Sequence, residues 1–440
     1  MFKKIKNIVA LMLGVSLFAG ILTGCSVDRE RLQSALDEAA SDMDALAEYA
    51  QNGFGSESGL SDTDASSAVS SESEAASAEI PTATPTAAPA AGDPSSYTDI
   101  SSSCTYYYDQ MEDARKAVYS QILDGIASRE ASFDITCEST DDIEPALQGV
   151  LMDHPEFFWM DGEANIYGET GKGKEKITLT FNVDPSQIDS IQSQIDAKVN
   201  DFLASIPASA SSYTIARAAY QYVIRNTDYG SDVSQNQNIQ SVFLSGRSVC
   251  AGYAKAYQYL CHRAGIPCAY LTGTITTSGA NHAWNMVTLD GTNTLVDPTW
   301  GDPTYNESET DSRRLDIIYD YFCLTTDELT RAHHTFSTKY AVPDCTSTSY
   351  DFYRLLGDYM TSYDGQTIQD HLYATVRNGE SVTYLKFENA SDYETALSEL
   401  FIDGGLITDP LQEKMKKEGT NSIQYYYSKS DELRTIKIFW

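Results

Sequence analysis

Between Leu32 and Ala114 the chain holds no lysine or arginine, while aspartate and glutamate recur throughout. Residues 52–100 are mostly Ser, Ala, Thr, Pro and Glu, as in SSAVSSESEAASAEIPTATPTAAPAAG. So few apolar side chains cannot offset the entropy of ordering the backbone, and the segment is expected to be disordered. The folded body must come from the roughly 340 residues beyond it, which carry most of the aromatic side chains and suffice for two or three domains. As a coil, a tether of ~50 residues spans about 40 Å. Ahead of it, residues 27–51 are expected to form a short amphipathic helix, with Leu32, Leu36, Ala39, Met43 and Leu46 near one face.

The chain opens MFKKIKNIVALMLGVSLFAGILTGC. Lys3, Lys4 and Lys6 make a basic start, and Ile8 to Leu22 supplies an apolar run too short for an ordinary membrane span. The run closes on Leu22-Thr23-Gly24-Cys25, which resembles the lipobox of bacterial lipoproteins. That resemblance implies export, cleavage before Cys25, a lipid on Cys25, and anchoring to the outer face of the bacterial cytoplasmic membrane. The expected organisation is a signal peptide (1–25), the acidic tether (26–103), an N-terminal α/β region (104–205), a catalytic core (206–305) and a C-terminal α/β region (306–440).

The formal charge of −33 argues against nucleic-acid partners and against electrostatic attraction to anionic lipid. No D-x-D-x-D-G loop, C-x-x-C pair or H-E-x-x-H helix is present, so neither a metal site nor a cofactor is expected. Periodicity predicts helices over 108–128, 142–152, 185–205 and 212–227, and a strand over 175–183. The stretch DHPEFFWMDG reads as an aromatic-rich turn. Beyond about 345 the chain reads as helices with strands at 382–387, 422–428 and 433–439. The order of strand then helix in VTYLKFENASDYETALSELF weakly echoes KITLTFNVDPSQIDSIQSQI, an internal repeat if real.

The stretch SVCAGYAKAYQYLCHRAGIPC begins a helix at Cys250 and ends it at Gly265 and Pro267. Cys250 thus occupies a first turn, where unpaired N–H groups and the helix dipole favour an anionic sulfur. Gly252 lets that turn pack closely on a neighbour, while Cys261 lies three turns on and faces the core. A thiolate needs a base, and a base needs an orienter. In NHAWNMVTLDGTNTLVDPTWGD, Asp290-Gly291 is a two-residue hairpin turn, so paired residue numbers sum to 581. Asp297 then falls opposite Trp284, a same-face diagonal neighbour of His282.

Together, C-x-G-Y-A, H-A-W-N and D-P-T-W over roughly 210–303 resemble the transglutaminase-like superfamily, a branch of papain-like thiol enzymes. The resemblance implies an α+β fold whose core packs a nucleophile helix on an antiparallel sheet. It makes Cys250 the nucleophile, His282 the general base and acid, and Asp297 the orienter, with Trp284 shielding the His–Asp bond. The oxyanion hole would use the backbone N–H of Cys250 and a second donor, for which Gln240 is the first candidate and Tyr229 the second.

His154, His262, His333, His334 and His371 have no comparable partners in sequence and are expected at the surface or at helix ends. Cysteines 104, 137, 261, 268, 323 and 345 are an even number in an exported chain; Cys261 with Cys268 and Cys323 with Cys345 are pairs that could bridge or simply pack. The expected activity is cleavage of protein or peptide amides at the cell surface, through a thioester. Substrates would be proteins or peptides, among them cell-wall or surface proteins. Cross-linking to an amine acceptor, and a non-enzymatic surface-binding role, are the alternatives.

Overall fold

A computed structural model describes residues 105–168, 174–304, 314–402 and 405–440. The signal-like segment, Cys25, the tether and Cys104 lie outside the described residues. The first region runs α1 (Tyr106–Asp109), α2 (Asp113–Ala127), β1 (Ser132–Thr136), α3 (Ile143–Asp153), β2 (Met160–Gly168), β3 (Lys174–Phe181) and α4 (Ile188–Ser205). Its strands form an antiparallel sheet in the order β1-β3-β2. The expected aromatic turn is shorter than the sequence suggests: Phe158 and Trp159 are buried, and Met160 already begins β2.

The central region begins with α5 (Ser212–Arg225), whose N-cap Ser211 accepts a hydrogen bond from the Thr214 N–H. The short pair β4 (Asp228–Tyr229) and β5 (Arg247–Ser248) leads into α6 (Cys250–Arg263). Next come strands β6 (Cys268–Ile275), β7 (Asn281–Leu289), β8 (Thr292–Val296) and β9 (Phe322–Leu324), helix α7 (Thr326–Arg331) and strand β10 (His334–Phe336). The five strands pair antiparallel in the order β10-β6-β7-β8-β9.

Alternation along these strands fixes what each face touches. Cys268, Val287, Leu289 and Val296 join Tyr257, Leu260 and Cys261 of α6 in one core. Ala269, Leu271, Trp284, Met286 and Leu295 line the opposite face with Leu324 and Leu329. This is the α+β arrangement of a helix on an antiparallel sheet. The β7–β8 turn has positive φ at both Asp290 (48°) and Gly291 (82°), and Leu289↔Thr292 and Asn285↔Val296 keep the expected register.

The last region comprises α8 (Phe352–Leu356), β11 (Tyr359–Met360), α9 (Gly365–Asn378), β12 (Val382–Phe387), α10 (Ala390–Leu397), α11 (Gly405–Glu418), β13 (Tyr426–Ser430) and β14 (Thr435–Phe439). Its sheet order is β11-β12-β14-β13. The two outer regions share a strand order and pairing, in a different alignment from the one the sequence suggested. Strand β12 corresponds to β1, not β3. Both come after a helix and lead through a side-chain-capped turn (Ser139, Asn389) into another helix. Both then pair antiparallel with the second strand of a closing hairpin. Helix α4 has no part in it.

Cys137, Cys261, Cys323 and Cys345 are buried thiols, so neither of the two expected bridges is present. Buried charge docks the C-terminal region on the centre. The Lys386 ammonium, 1% exposed, reaches Asp351 at 2.5 Å and Glu328 at 2.6 Å. Lys437 pairs with Asp320 at 2.6 Å, which also accepts from Thr435 and Tyr353. Glu328 and Asp351 in addition cap α7 and α8. Burial opposes the charges on Glu328 and Asp320, yet the lysines hold both carboxyls below their ordinary values. Their contribution is therefore present at neutral pH and is lost as pH falls through the carboxylate range.

Replacing one partner of such a cluster strands the others. Lys386→Ala should cost about 3–5 kcal/mol in urea denaturation. Lys386→Met combined with Glu328→Gln and Asp351→Asn should recover much of that loss. A cost below about 1 kcal/mol for Lys386→Ala would show that the cluster does not hold the two regions together.

Candidate active site

Three elements converge on one end of the central sheet. Val249 is extended and Cys250 begins α6, so the Cys250 N–H has no partner within its helix. The close packing expected of Gly252 is real: a Cβ there would stand 1.9 Å from the Ser248 Oγ. Cys250 is partly exposed and packs against the cluster of Ala254, Tyr270 and Ala283, as does Met152.

His282 enters on β7, paired with Gly273 of β6. Its ring is buried, with Nε2 2.7 Å from Asp297 Oδ2 and the Cys250 thiol within hydrogen-bonding reach. With Nε2 engaged, Nδ1 is the nitrogen left to face Cys250. Burial disfavours a charged ring, but the Asp297 carboxylate and Cys250 outweigh it and push His282 up to about 10.

Asp297 comes directly after β8 and is fully buried. Its Oδ1 accepts from the N–H groups of Thr299 (2.9 Å) and Trp300 (3.1 Å). Its backbone N–H donates to Tyr321, and its carbonyl accepts from Gly301. Burial would raise the carboxyl, but His282 and His334 hold it well below the usual carboxylate range.

His334 is the residue that sequence reasoning missed. Far from being a surface residue, it is 1% exposed and donates from Nε2 to Asp297 Oδ2 at 2.9 Å. Its Nδ1 lies 2.8 Å from the Ala332 carbonyl, so both ring nitrogens face oxygen acceptors. Strand β10 brings it there by pairing His334 with Ile275, a long-range contact with no local signature. The only hint was an alternating HTF after a residue that adopts φ 66°. His154 and His262 lie at helix ends, as expected, and are buried there, bonded to Glu156 and to the Cys268 carbonyl. His371 pairs with Asp358, and His333 is partly exposed.

Two indoles close the site. Trp284, fully buried, stacks on His282 (centroids 5.9 Å, 28°) and meets His334 edge-on at 5.1 Å. Trp300 lies 5.9 Å from His282 and 4.5 Å from His334. Gly273 makes room for this: a Cβ would lie 2.4 Å from the Trp284 ring. The donor atoms of His282, Asp297 and His334 lie within 4.8 Å of one another, a geometry that could hold a metal ion. Every one of them is already committed to a hydrogen bond in this network, and the indoles leave no polar opening.

The two oxyanion candidates separate. The Tyr229 phenol is near enough to feel the charges of Cys250 and Asp297, which with burial raise it, so it stays a donor at neutral pH. Gln240 bonds through its backbone N–H to Asn238, and its Oε1 is buried without a hydrogen-bond partner.

Comparison with known proteins bears on the same region. The sequence profile described as the Transglutaminase-like superfamily matches residues 201–298. Kyphoscoliosis peptidase of Mus musculus is 25% identical over 158 residues, covering 32% of this chain and 23% of that protein. The Homo sapiens form is 26% identical over 125 residues, covering 25% and 18%. The chain thus spans about a quarter or less of these relatives. A solved structure described as a TGase aligns with 35% of this chain and 48% of its own at 17% identity, with a TM-score of 0.24. From Cys250 to Asp297, directly after β8, the described core lies within the residues that the transglutaminase-like superfamily profile matches.

Proposed function

We propose that this protein is an exported, lipid-anchored thiol hydrolase that cleaves amide bonds of proteins or peptides. The observation that carries the reading is the continuous bonded chain from a helix-N-terminal cysteine through His282 to a buried, fully hydrogen-bonded Asp297. A binding module has no need to bury a carboxylate behind a histidine facing a thiol.

In this mechanism the Cys250 sulfur attacks the amide carbonyl, and the oxyanion is met by the Cys250 N–H and the Tyr229 hydroxyl. His282, held protonated by Asp297, gives its proton to the leaving nitrogen as the C–N bond breaks. The amine departs, leaving a thioester and a neutral imidazole. His282 then takes a proton from water, the hydroxide adds, and collapse returns the thiol and releases a carboxylic acid. Water is favoured over an amine as acceptor because the tether carries no lysine and no Gln-rich donor segment accompanies it. His334 acts only through Asp297, sharing Oδ2 and fixing the carboxylate plane.

Cys250→Ala and His282→Ala should each abolish turnover, and Asp297→Ala should leave a folded, much weaker enzyme. The assay offers surface proteins or peptides with a fluorescent primary amine and tracks new termini, ammonia and covalent amine together. Cys250-dependent amine incorporation without hydrolysis would replace hydrolysis by cross-linking; full activity in Cys250→Ala would end the triad assignment.

The pH profile tests the histidine. The raised His282 stays charged through neutrality and loses its proton as pH rises through about 10, so the alkaline limb of kcat/KM should lie there. Asp297→Asn removes the charge that opposes burial and should move the limb to or below about 6.5. His334→Gln, which keeps a donor, should preserve the limb better than His334→Phe. An alkaline limb unmoved by Asp297→Asn would exclude this coupling.

Anchoring has its own test. Cys25→Ala should abolish incorporation of labelled lipid and release the protein to the medium; unchanged membrane association would overturn the lipobox reading.

A further inference from the structure

Lys255 stands on α6 between the Ala254 and Ala256 positions, little more than one turn past Cys250. Two other inward-leaning lysines, Lys386 and Lys437, each meet carboxylates, whereas burial alone acts on Lys255 and pulls its ammonium down to about 8. The face of Tyr270 lies against it, with Nζ 5.5 Å from the ring centroid. An ammonium without a counter-charge in such a place is costly unless something anionic meets it.

A cavity of about 60 Å³ opens at the same point, lined by Lys255, His154, Asn238, Phe158, Met160 and Gly162, among others. His154 is 5% exposed, and its Nε2 has no hydrogen-bond partner. Its Nδ1 is held by Glu156 at 2.8 Å, which fixes the ring and presents Nε2 to the cavity. The volume is roughly two waters' share of liquid, the size of a carboxylate head group and too small for a ring.

The cavity also adjoins the nucleophile. Met152 lies in the chain between the cavity-lining Leu151 and His154. It packs on the cluster of Ala254, Tyr270 and Ala283, on which Cys250 also packs. Tyr270 feels the charge of Cys250. The end of α3 thus reaches both the cavity and the cluster that supports Cys250.

We propose that this cavity is a substrate subsite that takes a carboxylate, the side chain of Glu or Asp or a chain-terminal carboxyl, with Lys255 as its cation and His154 in its wall. The inference deepens the reading of an amide-cleaving thiol enzyme and rests on it for the substrate, though not for the binding site. It assigns the enzyme acidic peptides near the scissile amide.

The test separates binding from turnover. In the full-length Cys250→Ala protein, the reactivity of Lys255 toward trinitrobenzene sulfonate is measured against pH by peptide mapping. N-acetyl-glutamate amide, which offers one side-chain carboxylate, should protect Lys255 and move its titration upward, and N-acetyl-glutamine amide should not. Equal effects of the two probes, or none, overturn the subsite whatever the enzyme does. In the active protein, peptide pairs differing only in Glu or Gln beside the cleaved bond should differ by about 10–100-fold in kcat/KM, as a buried charged hydrogen bond implies. Lys255→Met should collapse that ratio toward one, and Lys255→Arg should keep part of it. A wild-type ratio near one at every position, or a ratio unchanged in Lys255→Met, refutes the proposal. Protection by N-acetyl-glutamate amide with no cleavage of any peptide would uphold the subsite and count instead against the hydrolase reading.

Discussion

One buried carboxylate organises the central region. Asp297 is fully excluded from solvent, and a bare carboxylate there would carry a penalty of several kcal/mol. It is met by two backbone N–H groups at Oδ1 and two imidazole nitrogens at Oδ2. The donors come from three separate constraints: the turn after β8, the start of β7, and the edge strand β10. The sheet order β10-β6-β7-β8-β9 is what allows all three to reach one residue. The charge thereby sets the state of His282, whose ring faces Cys250.

The same logic, used for docking, recurs at the C-terminal region. There the fixed charges are Lys386 and Lys437, and the compensating carboxylates come from both partners. Such pairs add little to stability against an apolar alternative, but they tolerate few other alignments of the two surfaces. A hydrophobic interface could slide; one built on charges that cap helices α7 and α8 is fixed in register by those helices.

How much of this could be read from the chain depended on range. The hairpin register came from Asp290-Gly291 alone, because a two-residue turn with positive φ at both positions permits one pairing. The first-turn position of Cys250 came from periodicity and from Gly265 and Pro267. His334 was not legible, since its place depends on β10 reaching β6 across a segment of the chain with no repeating signal. The surroundings of Tyr229 were not legible for a related reason: it is placed by the pairing of β4 with β5, a two-residue bridge with no sequence pattern. The outer regions were misaligned because KITLTF and VTYLKF share strand composition, whereas the true counterparts share connection. Composition reports burial; only topology reports equivalence.

The two outer modules serve different ends, and the difference lies in which element of each reaches the centre. In the C-terminal module, β12 itself presents Lys386 to the central carboxylates, so the strand is a docking surface. In the N-terminal module, the helix after β1 delivers Met152 to the apolar cluster on which Cys250 also packs, and Asp153 to the backbone of α1, where it accepts from Tyr107 and Tyr108. Tyr107 in turn donates to the carbonyl of Tyr270, whose ring lies against Lys255. That module is therefore tied to the sheet beside the nucleophile at two successive residues. A shift of α3 along its axis would move Met152 and Asp153 together, and with them the contacts to the Ala254–Tyr270–Ala283 cluster and to α1. The His282–Asp297 pair, built from β7 and the turn after β8, would keep its geometry.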